Sequence, residues 1–312
     1  MPLSACLFTL LTSTALAPPA QRRFRVEQTY RVQAPPAGSR EAELFLPIPE
    51  DDAWQTVTDL SIEGAPFELV HDPTYGDTAA RVALPKAGAT LKISYEVLRR
   101  ERSVDLSRAT LRPAPDGYRR YLHDDRLVPV DDRVRAIARD IVRGQATPLD
   151  KARAIYAYTL AHMKYQKKGD GWGNGSIAWA CDKKYGNCTD FHSLLIGLLR
   201  ASGIPARFQI GYAVPPEAAG VLPGYHCWAD FYLDGVGWVP VDASEAWQAP
   251  GRRDYLFGHH DPNRFALSTG RDIAFPGMRG SPLNYFVYPY LEVDSRPAPE
   301  LLSRETRFES LE

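Results

Sequence analysis

Cysteine is scarce in this chain. Four occur in 312 residues, Cys6, Cys181, Cys188 and Cys227, which excludes a disulfide-dense scaffold. No CxxC or HxxxH pair completes a set around Cys188 and His192, so a zinc site is not expected. An excess of one charge is lacking as well. Lys and Arg number 37 against 38 Asp and Glu, a formal net charge of −1, which gives no electrostatic case for a nucleic-acid partner. Long apolar runs are missing beyond the first twenty residues. None approaches ~18 consecutive apolar residues, so no integral membrane span is expected. No internal repeat is visible.

What is present begins with a leader. Leu3 to Ala17 is apolar or small, uncharged, and ends in Ala15-Leu16-Ala17, the form of a secretory signal with a small-residue cleavage site. No basic residue precedes it and Pro18 follows the first cut, so cleavage after Ala20 is a second reading. A signal peptide over 1–20 predicts an exported protein, periplasmic or secreted; without a functional leader the chain is cytoplasmic. Removal of the leader leaves three cysteines, enough for one bridge and one free thiol.

Two organisations follow. Phe24, Val26, Tyr30 and Val32 alternate with period two, as do Leu91, Ile93, Tyr95 and Val97, and short apolar runs between them are broken by Gly and Pro. This predicts an all-β sandwich over 22–100, then a charged connector over 101–130. The period then changes. Val134, Ile137, Ala138 and Ile141 stand at helical spacing behind Asp131 and Asp132, and Thr147-Pro148-Leu149-Asp150 opens a second helix. A third begins at or just before Cys188, buries Phe191, Leu194, Leu195, Leu198 and Leu199, and stops at Gly203. Strand patterns over 206–212, 226–233 and 237–241 come afterwards. Helices first and an antiparallel sheet next is an α+β order, read as one domain over 131–295 with a C-terminal extension.

The chemistry concentrates in three places. Cys188 stands at a helix start, where unpaired N–H groups and the dipole stabilise a thiolate; its own N–H is a candidate oxyanion donor. His226 supplies a base, and Asp242 a carboxylate to orient it. His226, Trp228 and Asp230 share one strand face, and Cys227 shares the other with Ala229 and Phe231. A two-residue turn at Asp234-Gly235 pairs 226 with 243 and puts Asp242 on the face of Cys227. A three-residue turn pairs 228 with 242 and brings Asp242 to the face of His226. The catalytic reading therefore requires the longer turn or a bulge.

Four ordered pieces carry a resemblance: Gly186-Asn187-Cys188-Thr189-Asp190-Phe191, Leu199 to Arg207, His226-Cys227-Trp228, and Gly237 to Asp242. Together they resemble the transglutaminase-like superfamily of papain-like cysteine enzymes, in an uncharacterised bacterial subgroup. The resemblance implies a papain-like core of helices on an antiparallel sheet. It also implies Cys188 as nucleophile, His226 as acid and base, and Asp242 as the group orienting the imidazole. It further implies acyl chemistry on amides through a thioester, without metal or cofactor. It leaves the outcome open, and hydrolysis of peptide or protein substrates is expected in preference to acyl transfer. Its second oxyanion donor is an upstream side chain, with Tyr165, Trp172 and Trp179 all open. The alternative is a non-catalytic binding or scaffold module. Export together with a free Cys188 predicts a bridge between Cys181 and Cys227, with Cys227 pointing away from His226. Asp190 belongs in the first helical turn, His192 on the helix surface or behind the site, and His259-His260 in a solvated loop.

Overall fold

The computed structural model describes residues 21–311; the leader and Cys6 lie outside the described residues. Alternation sets the first strand. In Gln21–Val32 (β1), Phe24, Val26, Gln28, Tyr30 and Val32 are buried while most of their neighbours face water. Ala42–Ile48 (β2), Gln55–Glu63 (β3), Glu68–His71 (β4), Thr78–Ala83 (β5) and Ala89–Arg100 (β6) follow. β6 runs antiparallel to β1 from Gln21↔Arg100 to Val32↔Ala89, and its Leu91, Ile93, Tyr95 and Val97 are buried.

Residues 22–100 complete neither sheet of the sandwich. One five-stranded sheet runs Ala219–Val221, Leu302–Leu311, β1, β6, β3; the other runs Arg296–Pro297, Tyr290–Val293, β2, β5, β4. Without those later strands β1 and β2 would be open edges with bare rows of N–H and C=O groups. β2 is buried along nearly its whole length because both its faces are covered. Leu44, Leu46 and Ile48 enter the main core, and Phe45 meets Ile273, Phe275 and Phe286 on the other side.

The helices start where their caps stand. Asp131 accepts from the Val134 N–H ahead of Asp132–Ile141 (α1), and Thr147 from the Asp150 N–H ahead of Pro148–His162 (α2). Ile177–Lys183 (α3) is too short to show a helical period in the sequence. Cys188–Ala201 (α4) is central. Every residue from Cys188 to Arg200 is buried, including the polar ones that an amphipathic reading turns outward. Each buried leucine of its stripe contributes roughly 2 kcal/mol. Gly203 ends it at φ 76°, with the Ile204 N–H bonded to the Leu199 carbonyl.

α4 lies on an antiparallel sheet of Ala206–Ala213 (β7), His226–Leu233 (β8), Gly237–Val241 (β9) and Arg264–Thr269 (β10), in the order β9-β8-β7-β10. Helices on an antiparallel sheet, joined to an all-β region, make the α+β class expected. Among the described residues no helix is long and apolar enough to cross a membrane.

Candidate active site

Cys188 is the first residue of α4, and the turn before it is tightly specified. Asn187 caps the helix by accepting from the Thr189 N–H at 3.0 Å, and Asp190 reaches back to the Asn187 N–H at 3.0 Å. The same Asp190 carboxylate takes the N–H of Gly173 at 2.7 Å and of Gly175 at 3.1 Å, so the glycine-rich loop is tied to the helix start. Gly186 is needed for close approach, not for a special φ. A Cβ there would stand 2.1 Å from Asp190 Oδ2.

The β8–β9 register answers the question of faces. Leu233 pairs with Gly237 and Ala229 with Val241, leaving Asp234, Gly235 and Val236 as a three-residue loop. Asp242, next after β9, thus comes to the side of His226, and His226 Nε2 lies 2.6 Å from Asp242 Oδ2. The imidazole also adjoins the Cys188 sulfur, so with Nε2 engaged, Nδ1 is the ring nitrogen left for the thiol. Cys188 is 2% exposed, and the His226 side chain keeps 16%, an open edge toward solvent.

Asp242 caps the short helix Ala243–Gln248 (α5) and has four donors. Oδ1 accepts from the Ser244 hydroxyl at 3.0 Å and the Glu245 N–H at 2.9 Å; Oδ2 accepts from His226 and, at 3.0 Å, from Arg264. Burial opposes its charge, but His226 and Arg264 outweigh burial and hold the carboxyl well below its usual range. For His226 burial again opposes charge, and Asp242 and Cys188 overcome it, raising the imidazole to about 10. For Cys188 burial pushes up, while hydrogen bonding from Cys227 and His226 brings the thiol well below its ordinary value. The arrangement favours a thiolate–imidazolium pair.

His192 stands behind this pair, fully buried and not on the helix surface. Its Nε2 accepts from the Ala243 N–H at 3.2 Å, so Nδ1 carries the proton and donates to the Cys188 carbonyl at 2.8 Å. Burial lowers its pKa, and the neutral ring links Cys188 to the residue after Asp242.

A cysteine at a helix start, a histidine opening a strand and a buried aspartate beyond the next turn thus come together, and the family model of the transglutaminase-like superfamily matches residues 135–243. That segment belongs to the superfamily. An uncharacterized protein of Haemophilus influenzae is 26% identical over 92% of this chain and 90% of its own length. The uncharacterized protein YebA of Bacillus subtilis is 25% identical over 42% of this chain, a stretch covering 20% of YebA. The crystal structure of a candidate cysteine protease from Cytophaga hutchinsonii has a TM-score of 0.64 at 18% identity, over 94% of this chain and 91% of that one. At that identity the likeness is one of fold.

Around the transglutaminase-like core the other expected residues separate. The Trp179 indole N–H is donated to the Tyr185 carbonyl at 2.8 Å, so it is not free to serve an oxyanion. Trp172 lies with the Lys167 ammonium 5.8 Å from its ring. Tyr165 feels the site: burial raises its phenol, and the charges of Cys188 and Asp242 raise it further. The bridge between Cys181 and Cys227 is not formed, and Cys181, Cys188 and Cys227 are free thiols. Cys181 on α3 is next to Arg133 and Tyr158. Cys227 is at Cys188, 3.7 Å from His192 Nδ1. On the strand it faces opposite to His226, but that face is the one α4 covers, so it lies at the Cys188 sulfur. His260 corrects another expectation: it is fully buried, in a strand His259–His260 paired with Arg102–Ser103, and burial lowers its pKa well below the usual value.

Arg264 was invisible in the sequence, where nothing distinguishes it from other arginines. It bridges Asp242 and Glu245, at 2.6 Å to the latter, and stacks 5.3 Å over the Trp228 ring. His226, Asp242 and Glu245 are close enough together to hold a cation, and this guanidinium already supplies one.

Proposed function

We propose that the protein hydrolyses amide bonds of peptides or proteins through a thioester, with Cys188 as nucleophile, His226 as acid and base, and Asp242 orienting His226. The 2.6 Å bond from His226 to Asp242, beside a sulfur at the start of α4, carries the reading. The Cys188 thiolate attacks the amide carbon. The C–N bond breaks as the imidazolium gives its proton to the leaving amine, and the acyl group stays on sulfur. His226 then takes a proton from water, whose oxygen displaces the thiolate and releases the acid. The Cys188 N–H and the Tyr165 hydroxyl are the proposed oxyanion donors. Hydrolysis is the proposed outcome because water needs no acceptor subsite, whereas an amine does.

Comparison of the wild type with Cys188→Ala on a peptide library, with and without an added amine, tests this. Cleavage without amine incorporation is expected from the wild type alone. Incorporation would make the protein a transferase, and equal behaviour of the two proteins would remove the enzymatic reading. The 2% exposure of Cys188 favours a rival, a non-catalytic binding module. Alkylation by iodoacetamide across pH separates them: an ordinary thiol titration supports the module. Export is proposed on the leader pattern of Leu3 to Ala17, and a mature N-terminus after Ala17 or Ala20 is the expected mass.

A further inference from the structure

Tyr225 occupies a place that the Cys–His–Asp reading does not use. It immediately precedes His226, yet its hydroxyl lies at the start of α4. Asn187 Nδ2 donates to that oxygen at 2.9 Å, and Thr189 Oγ1 lies 2.8 Å from it. The Asn187 amide is oriented by its other bond, since Oδ1 accepts the Thr189 N–H at 3.0 Å. With its oxygen accepting from Asn187, the tyrosine has its own proton to give to Thr189 Oγ1. Three hydrogen bonds thus close a ring through the two residues that flank Cys188, and the third member is bonded covalently to His226.

We infer that Tyr225 is a positioning residue that fixes the Cys188 sulfur relative to the His226 ring by clamping the start of α4 to the start of β8. The inference rests on the proposed roles of Cys188 and His226. The surroundings suit a fixed clamp. Thr189 is fully buried and Asn187 is 5% exposed, so the α4 side of the ring is shielded from water. The phenol stays neutral, because burial raises its pKa and the nearby Cys188 charge raises it further. The ring is held from outside, since the Tyr225 N–H donates to the Tyr288 hydroxyl at 3.1 Å and the two rings meet edge-on with centroids 5.8 Å apart. The Arg304 guanidinium in turn covers Tyr288, 3.4 Å from its centroid. Displacement of a reacting group by ~1 Å costs about 100-fold in rate, so a clamp between two separately folded elements has a large effect to exert.

The test is alkylation of Cys188 by iodoacetamide, followed by peptide mass spectrometry from pH 4 to pH 10. In the wild type the reactive thiolate persists at pH 6. Tyr225→Phe keeps the ring and removes the hydroxyl. It is expected to slow alkylation at pH 6 about tenfold and move the titration upward. Thr189→Val is expected to do the same, Thr189→Ser to retain the wild-type profile, and the double variant Tyr225→Phe with Thr189→Val to be no worse than either single one. A profile for Tyr225→Phe that superimposes on the wild type overturns the clamp, as does additivity in the double variant. Should Tyr225→Phe not fold, the Thr189 pair decides alone. An ordinary thiol titration in the wild type overturns the nucleophile instead, so the two failures are distinct.

Discussion

Arg264 donates to Asp242 Oδ2 at 3.0 Å, on the same oxygen that meets His226 Nε2. Its other arm holds Glu245, so one guanidinium compensates two carboxylates in a site from which water is largely excluded. Removal of the charge leaves Asp242 buried without that compensation. Arg264→Gln is expected to lower folding stability by about 3 kcal/mol, read as a fall in the urea midpoint. Arg264→Lys should recover only part, since an ammonium cannot bridge two acids with a planar fork. An unchanged midpoint in Arg264→Gln would show that the bridge is not needed.

The pH response follows from the two shifted groups. The imidazole of His226 is raised to about 10 and the Cys188 thiol lowered well below its ordinary value. Alkylation of Cys188 is therefore expected to vary little between pH 6 and pH 8. The sign for stability runs oppositely for the two partners of the 2.6 Å bond. The contribution of His226 is complete below ~6.5, its unfolded value, and is lost as pH rises through about 10. That of Asp242 is present above ~3.9 and is lost as pH falls through its depressed value. Thermal midpoints should fall at both ends and, in Asp242→Asn, lose this dependence in part.

Cys227 stands beside Cys188, and its own thiol is pushed well up by burial first and by Cys188 second. A thiol that stays neutral there is placed to donate to a thiolate at Cys188. Cys227→Ala is expected to raise the Cys188 titration, and Cys227→Ser, which keeps a donor, to restore it. A Cys227→Ala profile identical to the wild type counts against the donor. Intact mass after alkylation in denaturant without reductant should report three free thiols in protein lacking residues 1–20.

Gly186 offers a test of the helix start. A methyl group there meets Asp190 Oδ2 at 2.1 Å, and Asp190 holds both the cap and the loop of Gly173 and Gly175. Gly186→Ala is expected to cost about 2 kcal/mol and most of the activity, with equilibrium unfolding and turnover as readouts. A fully active, equally stable variant would mean that the turn yields freely.

The sequence made α4 readable because its leucine stripe, its cap and its Gly203 stop all agree locally. The place of Asp242 was readable only as a condition on a turn, since one residue more or less in the loop reverses every face beyond it. The role of Arg264 was hidden, because what an arginine bonds depends on folding partners distant in sequence. His260 was misread because two adjacent histidines near Asp261 and Asn263 look solvated until Arg102–Ser103 pairs with them. The sandwich was half legible: alternation identifies a strand but does not name its neighbour.

Those neighbours have a consequence for how the protein is made. β1 takes its second partner from Leu302–Leu311, and β2 takes one from Tyr290–Val293. A ribosome releases β1 and β2 long before either partner exists, so neither sheet can close during synthesis of the segments between them. Closure of the N-terminal sheets is a late event, and a nascent chain stalled within the transglutaminase-like core carries two unzipped edges open to chaperones and to aggregation.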